Sequence, residues 1–237
     1  MDSSAVKGCA AALVEELKVD PSVALRFARA RKGDLKEASP FLRADLAWRA
    51  QKRPEATTQA DCPTALASGV DRMLGCTPAG LPVVLVKIGL WDPSQYDADE
   101  YDRFNVYFME NLCRRGERFI LIFDMKGWKL SHALYMRYIA RLMSTLQDHY
   151  PERLAHALVF RVPGIFAASW RIIKRFIDTA TASKVEFIGA SAEAERSAFE
   201  AVGAWGLIPE SYGGPRGGAV PVPNIPGEPN VSSAPPL

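Results

Sequence analysis

The residues able to do chemistry in this chain are few and scattered. His132, His149 and His156 are its three histidines. With Ser131 or Asp124 they supply the residue types of a nucleophile, base and orienting acid, an arrangement decided by geometry and not by chain order. No G-x-S-x-G elbow, H-E-x-x-H pair or glycine-rich phosphate loop accompanies them. Histidines at helix or strand edges need no catalytic explanation, so no catalytic residue is assigned and the chain is not expected to be an enzyme. Cys9, Cys62, Cys76 and Cys113 lie far apart, with no C-x-x-C pair and no histidine at ligand spacing. Reduced thiols are expected, with no metal site and no cofactor.

A second kind of chemistry is offered by residues 166–178, where Phe166, Trp170, Ile172, Ile173, Phe176 and Ile177 alternate with Arg171, Lys174 and Arg175. Such a helix can pack on a core and leave its basic residues in water. It can also enter a membrane interface, with aromatics among the headgroups and each Arg or Lys gaining about 1 kcal/mol against anionic lipid.

The elements around these residues divide the chain. Asp20-Pro21 is a helix entry, because Asp caps free N–H groups and Pro fits the first helical position. Gly33 is placed to end that helix, and Asp34 or Ser39 to cap another through Phe41, Leu42, Leu46 and Trp48. Residues 52–63 are polar and Pro-containing and read as a connection. Strands are then expected at 82–88, 119–123, 157–160 and 185–188. Between them lie helices marked by Tyr101, Phe104, Phe108 and Leu112, by an inner face of Leu134, Tyr138, Leu142 and Leu146, and by Trp170, Ile173 and Ile177. Strands separated by helix-length connections predict crossover units and a largely parallel sheet. From Gly213 on, Pro, Gly, Ser and Asn dominate, a composition that cannot offset its ordering entropy by burial. This tail is expected to be a flexible linker whose prolines offer a docking partner a ready-made segment.

Composition excludes several classes. The 237 residues are 48% hydrophobic and 24% charged, the balance of a folded globular chain. With 29 Lys and Arg against 27 Asp and Glu, overall charge does not announce nucleic acid, and membrane attraction must come from a local patch. No apolar run reaches the roughly 18 residues of a spanning helix. The start, Met1-Asp2-Ser3-Ser4, lacks a basic segment before an apolar run, so a cytoplasmic protein, transiently peripheral to membranes, is expected.

One ordered string carries a family resemblance. Tyr150-Pro151-Glu152-Arg153-Leu154, a strand, Pro163, Phe166, Trp170, Lys174, Phe176, Ile177, Asp178, Thr181, Lys184 and a further strand together resemble the central signature of the CRAL-TRIO lipid-binding family. Ile208-Pro209-Glu210-Ser211-Tyr212-Gly213-Gly214 resembles its closing motif, Asp124-Met125-Lys126-Gly127 its strand-end D-x-x-G, and residues 25–32 its N-terminal helical lobe. The resemblance implies an α/β lipid cage with a largely parallel sheet floor, flanking helices and a small N-terminal lobe. It divides the chain into a lobe at 1–60, a lipid-binding domain at 61–214 and a tail at 215–237.

The resemblance further implies a movable gate over residues 166–177, with Phe166, Trp170, Arg171, Ile173, Lys174, Phe176 and Ile177 as gate and membrane contacts. By similarity to fungal phosphatidylinositol/phosphatidylcholine transfer proteins, an inositol phosphate would be held by Thr181 and Lys184, helped by Glu152 and Arg31. Lys supplies a phosphate-pairing cation, Thr a hydroxyl and Glu an acceptor for sugar hydroxyls. The implied partners are a phospholipid and a membrane surface. A tocopherol, retinoid or sterol is the alternative cargo, and a protein-interaction module with a vestigial pocket the alternative role. Arg161 stands where the family usually has Asn, Leu81 where Arg often precedes Pro-Val, and Trp128-Lys129-Leu130-Ser131 where a Ser-containing stretch helps hold choline lipids. The resemblance therefore does not extend to a choline-lipid site.

Overall fold

The computed structural model describes residues 3–217; the part of the expected tail from 218 on lies outside these residues. The chain forms two compact units.

The first holds the described residues up to Ala56, with Ser144–Arg153. Its helices are α1 (Ser3–Leu17), α2 (Pro21–Ala30) and α3 (Leu35–Lys52). Asp20 caps α2 by accepting from the Ser22 N–H at 2.8 Å, with Pro21 in the first turn. Asp34, not Ser39, caps α3, accepting from the Lys36 N–H at 2.9 Å. Pro40 lies inside α3, which forgoes the backbone bond that residue would donate. Gly33 is in the left-handed region at φ +84°, and a Cβ there would meet the backbone of Ala5 and Val6 at 2.8 Å, so only glycine lets α1 pass this turn. Leu13, Ala24, Phe27, Ala28, Ala38 and Leu42 fill the core between the helices. Asp45 is 2% exposed and is satisfied by Arg49 Nε at 3.1 Å and His149 Nδ1 at 3.0 Å, while the His149 ring stacks on Trp48 at 3.8 Å.

The second unit spans Thr57–Met143 and continues from Leu154. After α4 (Pro63–Ala67) it holds a sheet of β1 (Asp71–Cys76), β2 (Pro82–Lys87), β3 (Phe119–Asp124), β4 (Leu154–Phe160) and β5 (Val185–Phe187), in spatial order β1-β2-β3-β4-β5. β1 is antiparallel to β2, and the other neighbours are parallel. The parallel pairs require long connections. These are α5 (Ala98–Arg115), α6 (Met136–His149), whose last turns count with the first unit, and α7 (Phe166–Ile173) followed by α8 (Thr179–Ala182). One sheet face, with Val83, Leu85, Ile120, Ile122 and Phe160, is sealed by Ala198 and Phe199 of α9 (Ala192–Ala201) and by Ile208.

Two sequence expectations are corrected. Leu134 is 80% exposed and is not on the inner face of α6, because α6 begins only at Met136 and a preceding 3-10 turn takes Leu134 out of helical phase. The segment 166–177 is not one helix either. α7 ends at Ile173, a 3-10 turn covers Lys174–Phe176, and Ile177 is extended at φ −109°.

Candidate functional site

The second sheet face has a different character. Pairing aligns Val84, Leu121, Ala157 and Val185 in one row and Val86, Phe123, Val159 and Phe187 in the next. β3 is the central strand, yet Leu121 and Phe123 are only half-buried while Ile120 and Ile122 on the opposite face are fully buried. Asp71 pairs with Val86 and so shares this second face. Burial pushes its carboxyl up to about 7, and burial likewise raises the Tyr101 phenol, but both side chains keep part of their surface accessible. The residues that register places on this face are apolar but for Asp71.

An aromatic chain borders this face. Tyr96 stacks on Tyr101 at 5.6 Å, Tyr101 meets Tyr138 of α6 at 5.7 Å, and Trp91 lies 6.5 Å from Trp128. Trp128 meets Phe166 edge-on at 5.0 Å, and Trp170 meets Phe187 at 4.9 Å. α7 is therefore held mainly by ring contacts, each contributing about 0.5 to 1.5 kcal/mol beyond area burial. Phe166, Ser169 and Ile173 are buried at helical spacing, and Trp170 is half-buried. Arg171, Ile172, Lys174, Arg175 and Phe176 are exposed. Ile165, 47% exposed, and Ile172, 42% exposed, give this surface an apolar component beside its cations.

Thr181 and Lys184 are brought together. Asp178 caps α8, accepting from the Thr181 N–H and from the Thr181 hydroxyl, both at 2.8 Å. The Lys184 N–H donates to the Thr181 carbonyl at 3.0 Å, and the Lys184 carbonyl accepts from Ala157 N–H at 2.9 Å, so the main chain of β5's approach fixes both residues. Glu152 and Arg31 belong to the first unit. Glu152 adopts φ +59°, a left-handed conformation uncommon for a residue with a side chain. Arg31 ends α2 and lays its guanidinium over the Phe41 ring at 3.7 Å.

The two other motif fragments also have physical reasons. A Cβ on Gly127 would lie 2.8 Å from Gly89 Cα, so the loops ending β2 and β3 touch through backbone, and Asp124 accepts from the Lys126 N–H at 3.0 Å within that turn. Asp124 also accepts from the Tyr212 hydroxyl at 2.9 Å, which ties the closing motif to the sheet. A Cβ on Gly214 would overlap the Ile208 carbonyl. Arg161 sits at φ +53°, where Asn is better tolerated, and is compensated by stacking over Tyr212 at 4.7 Å and pairing with Glu195 at 3.6 Å. The histidines are not gathered: His132 Nδ1 accepts from the Lys129 N–H at 3.2 Å, His149 pairs with Asp45, and His156 is exposed on β4.

Two modest effects are expected here. Tyr212→Phe removes a hydrogen bond to a buried carboxylate and should lower unfolding free energy by about 1.5 to 3 kcal/mol, read by urea denaturation. For Asp71, the folded form holds its proton up to about pH 7 where an unfolded Asp ionises near 3.8. Stability contributed by this group is thus full below about 3.8 and is lost as pH rises through 7. Asp71→Asn, which mimics the protonated form, should match the parent near pH 4 and exceed it in stability at pH 8.

A largely parallel sheet packed on one face, with half-buried apolar side chains on the other and a short helix ending in Arg171, Lys174 and Arg175 nearby, defines an α/β domain with two unlike sheet faces. Residues 67–214 match the family model CRAL/TRIO domain, and the chain belongs to that family. A phosphatidylinositol transfer protein, CSR1, of Eremothecium gossypii is 27% identical over 190 residues, covering 72% of this chain and 43% of the relative. An alpha-tocopherol transfer protein-like chain of Pongo abelii is 30% identical over 212 residues, covering 84% of this chain and 60% of the relative. Protein real-time of Drosophila melanogaster is 25% identical, covering 88% of this chain and 36% of its own length. The chain thus spans less than two thirds of these relatives. The crystal structure of Sfh5 shares the fold, with a TM-score of 0.66 at 17% identity over 79% of this chain and 81% of the other. No helix among the described residues is long and apolar enough to cross a membrane.

Proposed function

We propose that this chain encloses a phospholipid, phosphatidylinositol in the first place, and carries or presents it between membranes at their cytoplasmic surfaces, without covalent chemistry. The half-buried Leu121 and Phe123 on a central strand support this reading, because among the described residues this apolar face is less fully covered than the opposite one, as a face that receives a lipid chain would be. Burying an acyl chain of about sixteen carbons contributes on the order of 10 kcal/mol, at roughly 0.8 kcal/mol per CH₂. A lipid therefore leaves a bilayer slowly unless a carrier offers an equal environment. Such a carrier must stay shut in water and open at a membrane, and α7, held by ring contacts, can exchange these for lipid contacts. Thr181 and Lys184 would meet the phosphate.

The name of the CSR1 relative favours phosphatidylinositol, while that of the tocopherol transfer protein-like relative favours a neutral cargo as second reading. Mass spectrometry of the protein purified under native conditions identifies the cargo. Transfer of labelled phosphatidylinositol between vesicles should rise well above that with an inert protein. No rise with either inositol or choline lipids would reject the phospholipid reading.

A further inference from the structure

The two most exposed large apolar side chains among the described residues are close in sequence: Leu134 at 80% and Leu130 at 64%. Both belong to the 3-10 segment Leu130–Tyr135 that follows β3. Internal contacts hold this segment in place. The Lys129 N–H donates to His132 Nδ1 at 3.2 Å, and the buried His132 ring packs on Trp91 at 5.4 Å and on Trp128 at 5.0 Å. An imidazole thus points inward and two leucines outward, the reverse of what water favours. The loop after β2 adds the exposed Leu90, next to the buried Trp91, and the close approach of Gly89 to Gly127 joins the two loops. Ile165, also exposed, follows β4 and precedes Phe166, whose ring meets Trp128 at 5.0 Å. Four exposed aliphatic side chains are therefore gathered at the carboxyl end of the parallel strands, around a layer of rings. The charge at this end is mostly positive. Between Asp124 and Asp148 the chain has Lys126, Lys129, Arg137 and Arg141 and no acidic residue. Arg141 pairs with Asp99 and Asp102, while Lys126, Lys129 and Arg137 are exposed. Against them stands Asp92 in the loop after Trp91, which accepts from the Ser94 hydroxyl at 2.6 Å.

We propose that Leu130 and Leu134, with Leu90 and Ile165 beside them, form a hydrocarbon anchor that enters an anionic bilayer and is distinct from α7. The proposal rests on the reading of this chain as a carrier that works at membranes. Leucines leave water for the acyl region, while Lys126 and Lys129 keep their ammonium groups at the lipid phosphates. The anchor differs from α7 in chemistry. The exposed Arg171, Lys174 and Arg175 respond to lipid charge, whereas the leucines supply affinity that does not depend on it. It differs in mechanics too. The loops after β2 and β3 touch through backbone at Gly89 and Gly127, so the anchor keeps its place while α7 exchanges its ring contacts. Residence on the membrane and opening of the domain are then tasks of separate elements.

The test uses the full chain and co-sedimentation with vesicles of phosphatidylcholine, alone or mixed with phosphatidylserine. Leu130→Ser combined with Leu134→Ser should weaken binding to both vesicle types about a hundredfold, as the loss of two buried leucine side chains implies. The melting temperature should not change, because both side chains face water in the free protein. Leu134→Trp should tighten binding several-fold, a gain that a damaged fold does not produce. Lys126→Glu with Lys129→Glu should weaken binding to the serine-lipid vesicles and spare the neutral ones. Equal binding of the double Ser variant and the parent to both vesicle types overturns the anchor. If the parent is then a dimer that the variant dissociates, the leucines meet a second copy of the chain instead. Phosphatidylinositol transfer by the same preparations separates the two readings. A parent that transfers this lipid, with a double Ser variant that binds vesicles as tightly, refutes the anchor alone. A parent that neither binds vesicles nor transfers phospholipid refutes the carrier reading with it.

Discussion

Arg171→Glu combined with Lys174→Glu should weaken binding to vesicles rich in anionic lipid by about 4 kcal/mol at low salt, roughly a thousandfold. Each cation near such a surface contributes about 1 kcal/mol, and reversal both removes that attraction and adds a comparable repulsion, so two sites give four such increments. Both residues are exposed at the end of α7, so the substitutions should leave the melting temperature within a degree or two. Raised salt should shrink the difference, and neutral vesicles should abolish it. The apolar half of the surface is tested separately with Ile172→Ser and Phe176→Ser, which should weaken binding to both vesicle types, because area burial does not depend on lipid charge. Trp170→Ala serves less well, since Trp170 packs on Phe187 and its loss also destabilises α7. Unchanged binding of the double Glu variant at low salt would mean that another surface meets the membrane.

How far the sequence carried this picture depends on whether a local rule coincides with the tertiary constraint. The parallel strands were legible because they are short apolar runs, such as Phe119–Asp124, bounded by polar turns. The helix entries at Asp20 and Asp34 were legible because capping is local chemistry. β1 was not. Its stretch Asp71–Cys76 carries a bulge between Met73 and Gly75 and has no alternating pattern, so only pairing with β2 makes it a strand. The helix α1 went unread because its apolar face, Val6, Cys9, Ala10 and Leu13, is built of small residues that signal weakly, and α9 because just two of its residues are buried.

The site was legible to a different depth. The order of residues from Tyr150 to Lys184 pointed to Thr181 and Lys184, and it did so by resemblance, since no spacing rule relates a hydroxyl and a cation to a phosphate. Asp71 lay outside that resemblance, and a lone Asp before Arg reads as a solvated turn. Only strand register places it on the same sheet face as Val86 and the half-buried Phe123. Burial along β3 alternates in the structure, whereas the sequence Phe-Ile-Leu-Ile-Phe is apolar throughout. A half-buried face and a fully buried face call for the same residues.

Lys184→Ala should weaken phosphatidylinositol binding by about 1.5 to 3 kcal/mol, or roughly ten- to more than a hundredfold, because a charge-assisted bond to a phosphate is lost. Lys184 stands where α8 hands over to β5, and its main chain is bonded to Thr181 and Ala157, so the backbone is held regardless of the side chain. Thr181→Ala should have the smaller effect. Its hydroxyl already donates to Asp178, so in this arrangement it can only accept from a ligand, and to donate to a phosphate it must release the helix cap. Removing the hydroxyl leaves the Thr181 N–H still donating to Asp178, so α8 keeps its cap. Three outcomes are separated by measuring melting temperature beside binding of inositol and choline lipids. A solvated Lys184 changes stability by less than about 0.5 kcal/mol and leaves all binding intact. A structural one lowers melting temperature and every affinity together. Only an inositol-specific loss at normal melting temperature supports a phosphate contact, and either of the other results removes Lys184 from the site.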